Sequence, residues 1–343
     1  MWCTLFPFGL LGDYRFVVIL SGRRGSLLLS RRADRTTWET QGGHVEPGET
    51  PEQARDVRIW TAVRTPEGWS APGSLAAQPD TPHWNPVLFR RADGTLLLFC
   101  KVSREIADWS TFVASSQDGG RHWSGLRPLV PGDTGGGRGP VKNKPIRLAD
   151  GALLAPASHE RDGWRPFVDR SEDEGATWSC SAYVAAPAIH GRPAGMIQPT
   201  LWESRPGRVH MLLRTDAGLV CRSDSDDGGR TWCAAYPTAL PNNNSGLDLV
   251  RLPDGRLLLA ANPIGESGGA RTPLALLVSY DNGYCWDTAL LLEDGPGEYS
   301  YPSIVYDQGM VYLTYTWNRT DIAFCALEVG PGALGGPCGM NAF

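Results

Sequence analysis

The 343-residue sequence lacks several patterns that mark particular classes of protein. No stretch approaches the roughly 18 apolar residues that cross a bilayer, so we expect no membrane partner. The N-terminus lacks the basic and apolar runs of a secretory signal, so we expect a cytoplasmic protein. The net charge of −5 gives no general attraction for a phosphate backbone, so we expect no nucleic-acid partner.

None of the eight cysteines belongs to a C-x-x-C pair, and no histidine stands near one at the spacing of a zinc site. We interpret the cysteines as reduced thiols in the core or the strands, and we expect neither a metal nor another cofactor. Turn formers and aromatic residues are abundant instead, with 41 glycines, 27 prolines and 13 tryptophans. Many turns together with many aromatic residues predict an all-β protein of short strands.

A motif of the form S-x-D-x-G-x-x-W occurs four times, and its aspartates follow one another at intervals of 55, 54 and 54 residues. The copies, which we call Asp boxes, are Ser116–Trp123, Ser171–Trp178, Ser225–Trp232 and Ser279–Trp286. We expect each aspartate to accept backbone N–H groups across a tight turn, each glycine to adopt a positive φ and each tryptophan to pack between repeats. The Asp boxes are therefore predicted to be structural.

Pairs of apolar strands joined by tight turns recur in phase with the Asp boxes. One pair is Pro86–Phe89 and Leu96–Phe99 around Asp93-Gly94, and four later pairs repeat it. A period of about 40–55 residues that holds about four short strands is typical of a β-propeller blade. We therefore predict a β-propeller of four-stranded antiparallel blades. The residues from Asp56 onward hold a little over five periods, so the first blade of a six-bladed ring is incomplete unless the preceding residues supply strands.

The N-terminal segment does not show the repeat. Trp38–Ala54 instead resembles the start of a Nudix box, and strands predicted at Phe16–Leu20 and Leu27–Ser30 fit the same family. In Nudix hydrolases a helix with metal-binding carboxylates follows this box, whereas the residues that follow it here read as a strand. We interpret residues 1–55 as a truncated Nudix-like fragment without pyrophosphatase activity, and residues 56–343 as the propeller.

Polar side chains collect at one phase of the repeat, where the first strand of each pair begins and the second strand ends. In a propeller these positions converge on the axis from every blade, so we predict one shared site there. The residues at the strand starts are Trp84, Asn85, Lys142, Asn143, Lys144, Gln198, Asn244, Asp248, Glu298, Tyr299 and Tyr301. Those at the strand ends are Lys101, Glu160, Arg214, Asn262, Trp317 and Arg319.

The segment from Asp56 to about Glu328 resembles the bacterial predicted neuraminidases, a family of sialidase-like proteins with BNR repeats. The stretches that carry the resemblance are Trp84–Phe89, Gly139–Pro145, Ile197–Leu201, Asn242–Asp248, Gly297–Pro302 and Tyr315–Trp317 with Arg319. The resemblance covers over three quarters of the chain and implies a six-bladed propeller that acts on a glycan.

Exo-sialidases clasp the substrate carboxylate with three arginines, use a tyrosine backed by a glutamate as nucleophile, and use an aspartate as acid and base. A phenol suits this attack because the anomeric carbon already carries a carboxylate that repels an anionic nucleophile. The resemblance implies Tyr301 or Tyr299 as nucleophile with Glu298 or Glu160 as base, Arg214, Arg271 and Arg319 as the clasp, and Asp56 or Asp248 as acid. The remaining residues of the shared site are assigned to substrate binding, with Lys142 and Lys144 adding positive charge.

One part of the family pattern is missing, because the early R-I-P strand that supplies the first clasp arginine is replaced by the Nudix-like segment. Sialic acid specificity therefore does not follow. We expect a monomeric glycosidase of exo-sialidase-like type, whose partner is a glycan with a terminal acidic sugar. Two alternatives stay open: a polysaccharide lyase that uses His83, Lys142 and Tyr301 on a uronate, and a non-catalytic glycan-binding propeller.

Overall fold

The computed structural model describes residues 2–5, 26–31, 38–39, 58–65, 68–70, 73–75, 81–133, 135–161, 163–319 and 321–330. Over these residues the chain forms a β-propeller of antiparallel sheets, as the sequence predicts. Five sheets are four-stranded blades, so the prediction of six such blades is wrong. The predicted strand Phe16–Leu20 lies outside the described residues. No helix in the described part of the chain is long and apolar enough to cross a membrane.

A sheet of a different order precedes the blades. The strands before residue 80 are β1 (Trp2–Leu5), β2 (Ser26–Arg31), β3 (Trp38–Glu39), β4 (Arg58–Thr65), β5 (Gly68–Trp69) and β6 (Gly73–Leu75). Strand β2 pairs with β3 and β4, and β4 also pairs with the two short strands β5 and β6. Because β5 and β6 both pair with β4, this sheet does not have the four successive strands of a blade.

The five blades follow in chain order. The first contains β7 (His83–Arg90), β8 (Leu96–Val102), β9 (Ser110–Ser116) and β10 (Arg127–Pro128), with a 3₁₀ turn at Ile106–Asp108. The second contains β11 (Ile146–Arg147), β12 (Leu153–His159), β13 (Arg165–Ser171) and β14 (Ser179–Cys180), followed by a hairpin of β15 (Ala188–Ile189) and β16 (Arg192–Pro193). The third contains β17 (Met196–Arg205), β18 (Arg208–Thr215), β19 (Leu219–Ser225) and β20 (Tyr236–Pro241).

The fourth blade contains β21 (Asp248–Arg251), β22 (Leu257–Ala261), β23 (Leu274–Ser279) and β24 (Asp287–Glu293). The fifth contains β25 (Tyr299–Asp307), β26 (Met310–Trp317) and β27 (Asp321–Glu328), and its outer strand is the N-terminal β1. The sheet before the blades bridges the two ends of this series, because β4 contacts β7 and β3 contacts β27. The first strands of neighbouring blades also meet, β17 against β21 and β21 against β25, so they are the innermost strands.

The four Asp boxes adopt one geometry. In each, the serine Oγ donates to the aspartate at 2.8–2.9 Å and accepts the glycine N–H at 2.7–2.9 Å. The tryptophan Nε1 donates to the glycine carbonyl oxygen at 3.0–3.2 Å. In the second box the hydroxyl of Thr177 is the main cause that lowers the pKa of Asp173 to about 2. Since local donors occupy these carboxylates, the geometry confirms the turn interactions expected of the Asp boxes.

The hydrophobic core lies between the blades, and three of the box tryptophans help to fill it. Trp178 of the second blade meets Phe99 of the first edge-on, with ring centroids 6.0 Å apart. Trp232 of the third blade packs into a cluster with Leu154 of the second. Trp178 and Trp232 thus pack against the preceding blade, as the sequence predicts, and the stacked blades hold the innermost strands around a common axis.

Candidate active site at the propeller axis

Three innermost strands begin with the same backbone irregularity. Asn85, Gln198 and Tyr301 each precede a proline, have φ angles of 46°, 53° and 51°, and stand where the pairing with the second strand shifts register. A bulge of this kind re-aims a side chain out of the regular alternation of a strand. In the first, third and fifth blades, the bulge therefore turns the side chain of one residue at the strand start out of the regular alternation.

Asp248, the first residue of the innermost strand of the fourth blade, connects four blades. Its carboxylate accepts from Lys144 Nζ of the second blade at 2.9 and 3.0 Å, and from Thr200 Oγ1 of the third at 3.0 Å. It also accepts from the backbone N–H of Ile304 in the fifth blade at 3.0 Å. Asp248 is only 1% exposed, and each of its oxygens holds more than one donor. This environment suits a structural carboxylate better than the proton donor that the sequence suggested.

Lys142 lies on the axis beside this junction. Its Nζ donates to the carbonyl oxygens of Leu247 and Pro302 at 3.2 and 2.8 Å and to Asn143 Oδ1 at 2.8 Å. Burial is the main cause that lowers the pKa of Lys142 to about 7. The Asn143 amide in turn donates to two carbonyl oxygens of the third blade, at 3.0 Å each. This lysine therefore holds the second, fourth and fifth blades together, and its proton is exchangeable near neutral pH.

Arg214, at the end of β18, connects the third blade to the tyrosine of the fifth. Its Nε donates to Asn244 Oδ1 at 2.8 Å and its NH1 donates to Gln198 Oε1 at 3.0 Å. It also donates a side-chain hydrogen bond to Tyr301. Burial is the main cause that lowers the pKa of Arg214, while Tyr301 and Glu160 oppose that shift. Arg214 is therefore a buried cation in contact with the phenol of the fifth blade.

Two further arginines share one carboxylate, and one of them lies over the same tyrosine. The guanidinium carbon of Arg271 lies 4.9 Å from the centre of the Tyr301 ring. Arg271 NH1 donates to Glu298 Oε1 at 2.9 Å, and Arg319 Nε reaches both Glu298 oxygens at 2.9 Å. The three predicted clasp arginines are therefore linked through Tyr301 and Glu298. They form a continuous set of contacts on the fifth blade's side of the axis.

Glu160 and Lys101 lie on the opposite side of Arg214. Glu160 is half-buried at the end of β12, where loss of solvation is the main cause that raises its pKa, with Arg214 and Lys101 opposing the shift. Lys101 Nζ donates to Thr111 Oγ1 and to the Arg138 carbonyl oxygen, both at 2.7 Å. Burial is the main cause that lowers the pKa of Lys101 to about 8. Glu160 is thus a carboxyl group suited to hold a proton beside an arginine.

Other predicted residues lie away from this set of contacts. Tyr299 is buried in the core cluster of the fourth and fifth blades, with its ring 6.3 Å from that of Trp317. Trp84 packs against Trp109, and the amide of Asn262 donates to the Tyr299 carbonyl oxygen at 3.0 Å. Asp56 lies outside the described residues. The binding role of these residues stays a prediction.

Asn85 is the least satisfied of the predicted residues. It is 2% exposed, yet neither its Oδ1 nor its Nδ2 has a hydrogen-bond partner within the described residues. A buried amide without partners costs roughly 1–3 kcal/mol, which a hydrogen-bonded ligand or water would recover. Asn85 is therefore the amide of the first blade that is best placed to bind a polar group at the axis.

Trp164 is a residue that the sequence reasoning missed. It stands at the start of the strand that leaves the Glu160 turn, half-buried, with its ring 6.0 Å from the Arg214 guanidinium carbon. A Cβ added at Gly195 would come within 3.1 Å of its ring, so the indole lies directly over that glycine. Its position in the sequence could have revealed it, because this tryptophan belongs to no Asp box and lies close after Glu160.

The arrangement brings cationic, phenolic and carboxyl groups together at the axis. Arg214 and Arg271 contact the Tyr301 phenol, Arg319 joins them through Glu298, and the Glu160 carboxyl group lies near Arg214. Among the described residues, no group of three histidine, cysteine, aspartate or glutamate side chains could hold a metal ion. The chemistry available from these side chains is nucleophilic attack or proton abstraction by Tyr301, with proton delivery by Glu160.

Comparisons with known proteins agree with the fold. The family model described as BNR repeat-like domain matches residues 46–313, and a NUDIX domain model matches residues 13–55. No curated protein matches the chain.

Solved structures resemble the chain along most of its length. The Hadza microbial sialidase Hz136 is 18% identical with a TM-score of 0.70, and the match covers 92% of this chain and 65% of that one. A protein of unknown function from Dyadobacter fermentans is 19% identical with a TM-score of 0.68, over 92% of this chain and 94% of its own. Trypanosoma rangeli sialidase in complex with sialic acid is 15% identical with a TM-score of 0.63, over 90% and 54%. At these identities the likeness shows a sialidase-like propeller fold. The chain spans about two thirds or less of the length of the two sialidases.

Proposed function

Since this chain belongs to the family of BNR repeat-like domains, we propose that it is a glycoside hydrolase that acts on a terminal acidic sugar at the propeller axis. The observation that carries the proposal is the linked set of Arg214, Tyr301, Arg271, Glu298 and Arg319. Three arginines linked through one phenol and one carboxylate favour a ligand that brings a further carboxylate to the site.

The substrate carboxylate would bind to the arginines. A guanidinium carries five N–H donors, so Arg271 and Arg319 can hold Glu298 and a ligand carboxylate at the same time. Glu298 then fixes the two guanidinium groups at the spacing a carboxylate needs. Arg214 is only 3% exposed, so a charge that reaches it is largely desolvated and its attraction is strengthened.

Tyr301 is the proposed nucleophile. Its bulged backbone sets the phenol out of the strand alternation, and Arg214 donates a hydrogen bond to it. A guanidinium at this position stabilises the phenolate that attacks the anomeric carbon, without adding a second carboxylate next to that of the substrate. In this proposal Glu298 organises the arginines and accepts the phenol proton as Tyr301 attacks.

Glu160 is the proposed proton donor to the leaving oxygen. Burial raises its pKa, so the carboxyl group keeps its proton at a higher pH than an exposed glutamate does. Asp248 is left out of this role because its oxygens hold Lys144, Thr200 and the Ile304 N–H. Asp56 stays a predicted acid that lies outside the described residues.

One observation also favours the lyase alternative. The partners that define the position of Tyr301 are the arginines Arg214 and Arg271. A phenolate held by cations can equally remove the C5 proton of a uronate whose carboxylate the arginines neutralise. The products separate the two reactions, because elimination leaves an unsaturated, ultraviolet-absorbing sugar and hydrolysis does not.

The test is a panel of sialosides, uronates and rhamnosides incubated with the wild type, with Tyr301→Phe and with Tyr183→Phe. Tyr183 is an exposed tyrosine of the second blade and serves as the matched control. We expect the wild type and the Tyr183→Phe variant to release sugar from an acidic substrate, and Tyr301→Phe to be at least about 100-fold slower with its fold intact. Release of neutral rhamnose alone, or equal turnover by both variants, would contradict the proposal.

A further inference from the structure

A second cluster of reactive side chains lies in the third blade, away from the axis. Ser204, near the end of β17, has its Oγ 2.7 Å from His210 Nε2, and His210 Nδ1 is in hydrogen-bond contact with Asp224 Oδ1. From Gln198 to Ser204 the strand advances about 20 Å, so the cluster lies toward the opposite end of β17 from the proposed sugar site. The order of contacts is that of a nucleophile, a base and an orienting carboxylate.

Hydrogen-bonding groups face both ring nitrogens of His210. Two groups face Nε2: the Ser204 hydroxyl and the Asn282 amide nitrogen, the latter at 3.2 Å. The amide orientation is itself fixed, because Trp202 Nε1 donates to Asn282 Oδ1 at 2.7 Å. Nδ1 faces the Asp224 carboxylate and Arg222 NH2, the latter at 2.9 Å. The hydrolysis proposed below uses the tautomer with its proton on Nδ1, donated to Asp224, and its lone pair on Nε2.

The carboxylate that receives this proton is held in its charged form. Arg222 Nε donates to Asp224 Oδ1 at 2.9 Å, and the Tyr236 hydroxyl donates to Oδ2 at 2.6 Å. Burial alone would raise the pKa of Asp224, but the bonds from His210, Tyr236 and Arg222 outweigh it and the pKa is lowered. The imidazole is thus oriented by an anion, and it stacks on Trp202 with ring centroids 4.9 Å apart.

The nucleophile is the part of the cluster that solvent can reach. His210 is 1% exposed, whereas Ser204 and Asn282 are half-buried. The lining of a cavity of about 510 Å³ includes Trp202, Glu203 and Arg251, and Arg251 donates to the Ser204 carbonyl oxygen at 3.4 Å. The only other acceptor near the Ser204 hydroxyl within the described residues is the Arg208 carbonyl oxygen at 3.5 Å, so the hydroxyl proton is directed to His210.

We propose that Ser204, His210 and Asp224 form a second catalytic site, which hydrolyses carboxylic esters with a small acyl group. The Ser204 oxygen bonds to the ester carbonyl carbon as its proton passes to His210 Nε2, and the Asn282 amide donates to the resulting oxyanion. Collapse expels the alcohol oxygen, which takes the proton from Nε2. Water, deprotonated by His210, then hydrolyses the acyl-serine and releases the carboxylic acid.

The test uses a biotin-tagged alkyl fluorophosphonate and p-nitrophenyl acetate as probes of the full chain. We expect the fluorophosphonate to label the wild type on the peptide that contains Ser204, and Ser204→Ala to remain unlabelled. Ser181 is a partly buried serine of the second blade, so Ser181→Ala is the matched control and should be labelled like the wild type. Tyr301→Phe should also label fully, which separates this site from the proposed sugar site.

Folding and mechanism are checked together. Ser204→Ala removes one hydroxyl, so its Tm should stay within about 2 °C of the wild type. Asn282→Asp keeps an acceptor for Trp202 but replaces the amide donor with a carboxylate, and we expect it to slow ester hydrolysis about 100-fold. A wild type that is not labelled on Ser204, or ester hydrolysis that is unchanged in Ser204→Ala, would overturn the proposal and leave the cluster as a structural contact between blades.

Discussion

The Asp boxes and the axial site both contain carboxylates with several donors, but the donors come from different places. In a box, the aspartate receives its hydrogen bonds from residues two to four positions away, so each turn is complete in itself. At the axis, Asp248 receives donors from the second, third and fifth blades. The boxes therefore stabilise each blade separately, whereas the axial residues depend on all blades being in place.

The same contrast holds for residue identity. The box residues repeat without change because each blade needs the same turn. The residues at the bulged strand starts share a backbone shape but differ in chemistry, being an asparagine, a glutamine and a tyrosine. A repeat protein gains a single site of mixed chemistry in this way, by varying the side chain at one fixed phase.

The largest difference should appear when one aspartate of each kind is replaced. Asp248→Ala leaves Lys144 and the Ile304 N–H without their acceptor in a buried junction, and we expect it to lower the free energy of unfolding by about 3–5 kcal/mol. Asp227→Ala removes an acceptor that serves local donors only and should cost about 1–2 kcal/mol. Urea unfolding of both variants measures this difference. Equal losses would mean that the axial junction is no more important than a turn.

Glu160→Gln should lower kcat/KM for the acidic substrate about 100-fold, because a neutral amide cannot deliver a proton. The raised pKa of Glu160 also sets the direction of the pH effect. Wild-type activity should fall as the pH rises through that pKa, because Glu160 then loses the proton that it donates. The pH profile of the Glu160→Gln variant should lack this decrease at high pH. An unchanged pH profile would remove Glu160 from the reaction.

The tryptophans offer a smaller contrast. Trp164→Ala should raise KM for an acidic disaccharide about 10-fold, since an indole stacked on sugar contributes on the order of 1 kcal/mol. It should change the unfolding free energy little, because Trp164 lies at the rim above Gly195. Trp232→Ala, in the core between two blades, should instead destabilise the fold and leave KM unchanged. Steady-state kinetics and thermal unfolding distinguish the two outcomes.

Lys142 should give an effect of another kind, a dependence of stability on pH. Its folded pKa of about 7 lies below its ordinary value of 10.5, so the unfolded chain binds more protons between these two pH values. Stability contributed at this position therefore rises with pH from about 7 to 10.5. We expect the Tm of Lys142→Met minus that of the wild type to decrease across this window. A constant difference would contradict the shifted pKa.

Much of the scaffold was predictable from the sequence because the Asp boxes and strand pairs are local patterns with a fixed period. The number of blades was not, since it depends on how residues before the first complete repeat pair with one another. There, β5 and β6 both pair with β4, a choice that no local pattern encodes. The residues that surround the axis were predicted from their phase.

The individual contacts of the axial residues could not be predicted from the sequence. Gln198, rather than a carboxylate, meets Arg214, and Asp248 binds Lys144 from a position 104 residues away. Contacts of this kind depend on the rotation between blades. Trp164 was missed because it belongs to neither repeated pattern.

The most direct test of the axial site is a crystal structure of Tyr301→Phe soaked with a methyl sialoside and, separately, with a methyl galacturonide. The account predicts that at least one sugar binds with its carboxylate within about 3 Å of nitrogen atoms from two or more of Arg214, Arg271 and Arg319. A sugar bound elsewhere on the propeller, with the three guanidinium groups still engaged only by Glu298, Gln198 and Asn244, would contradict it.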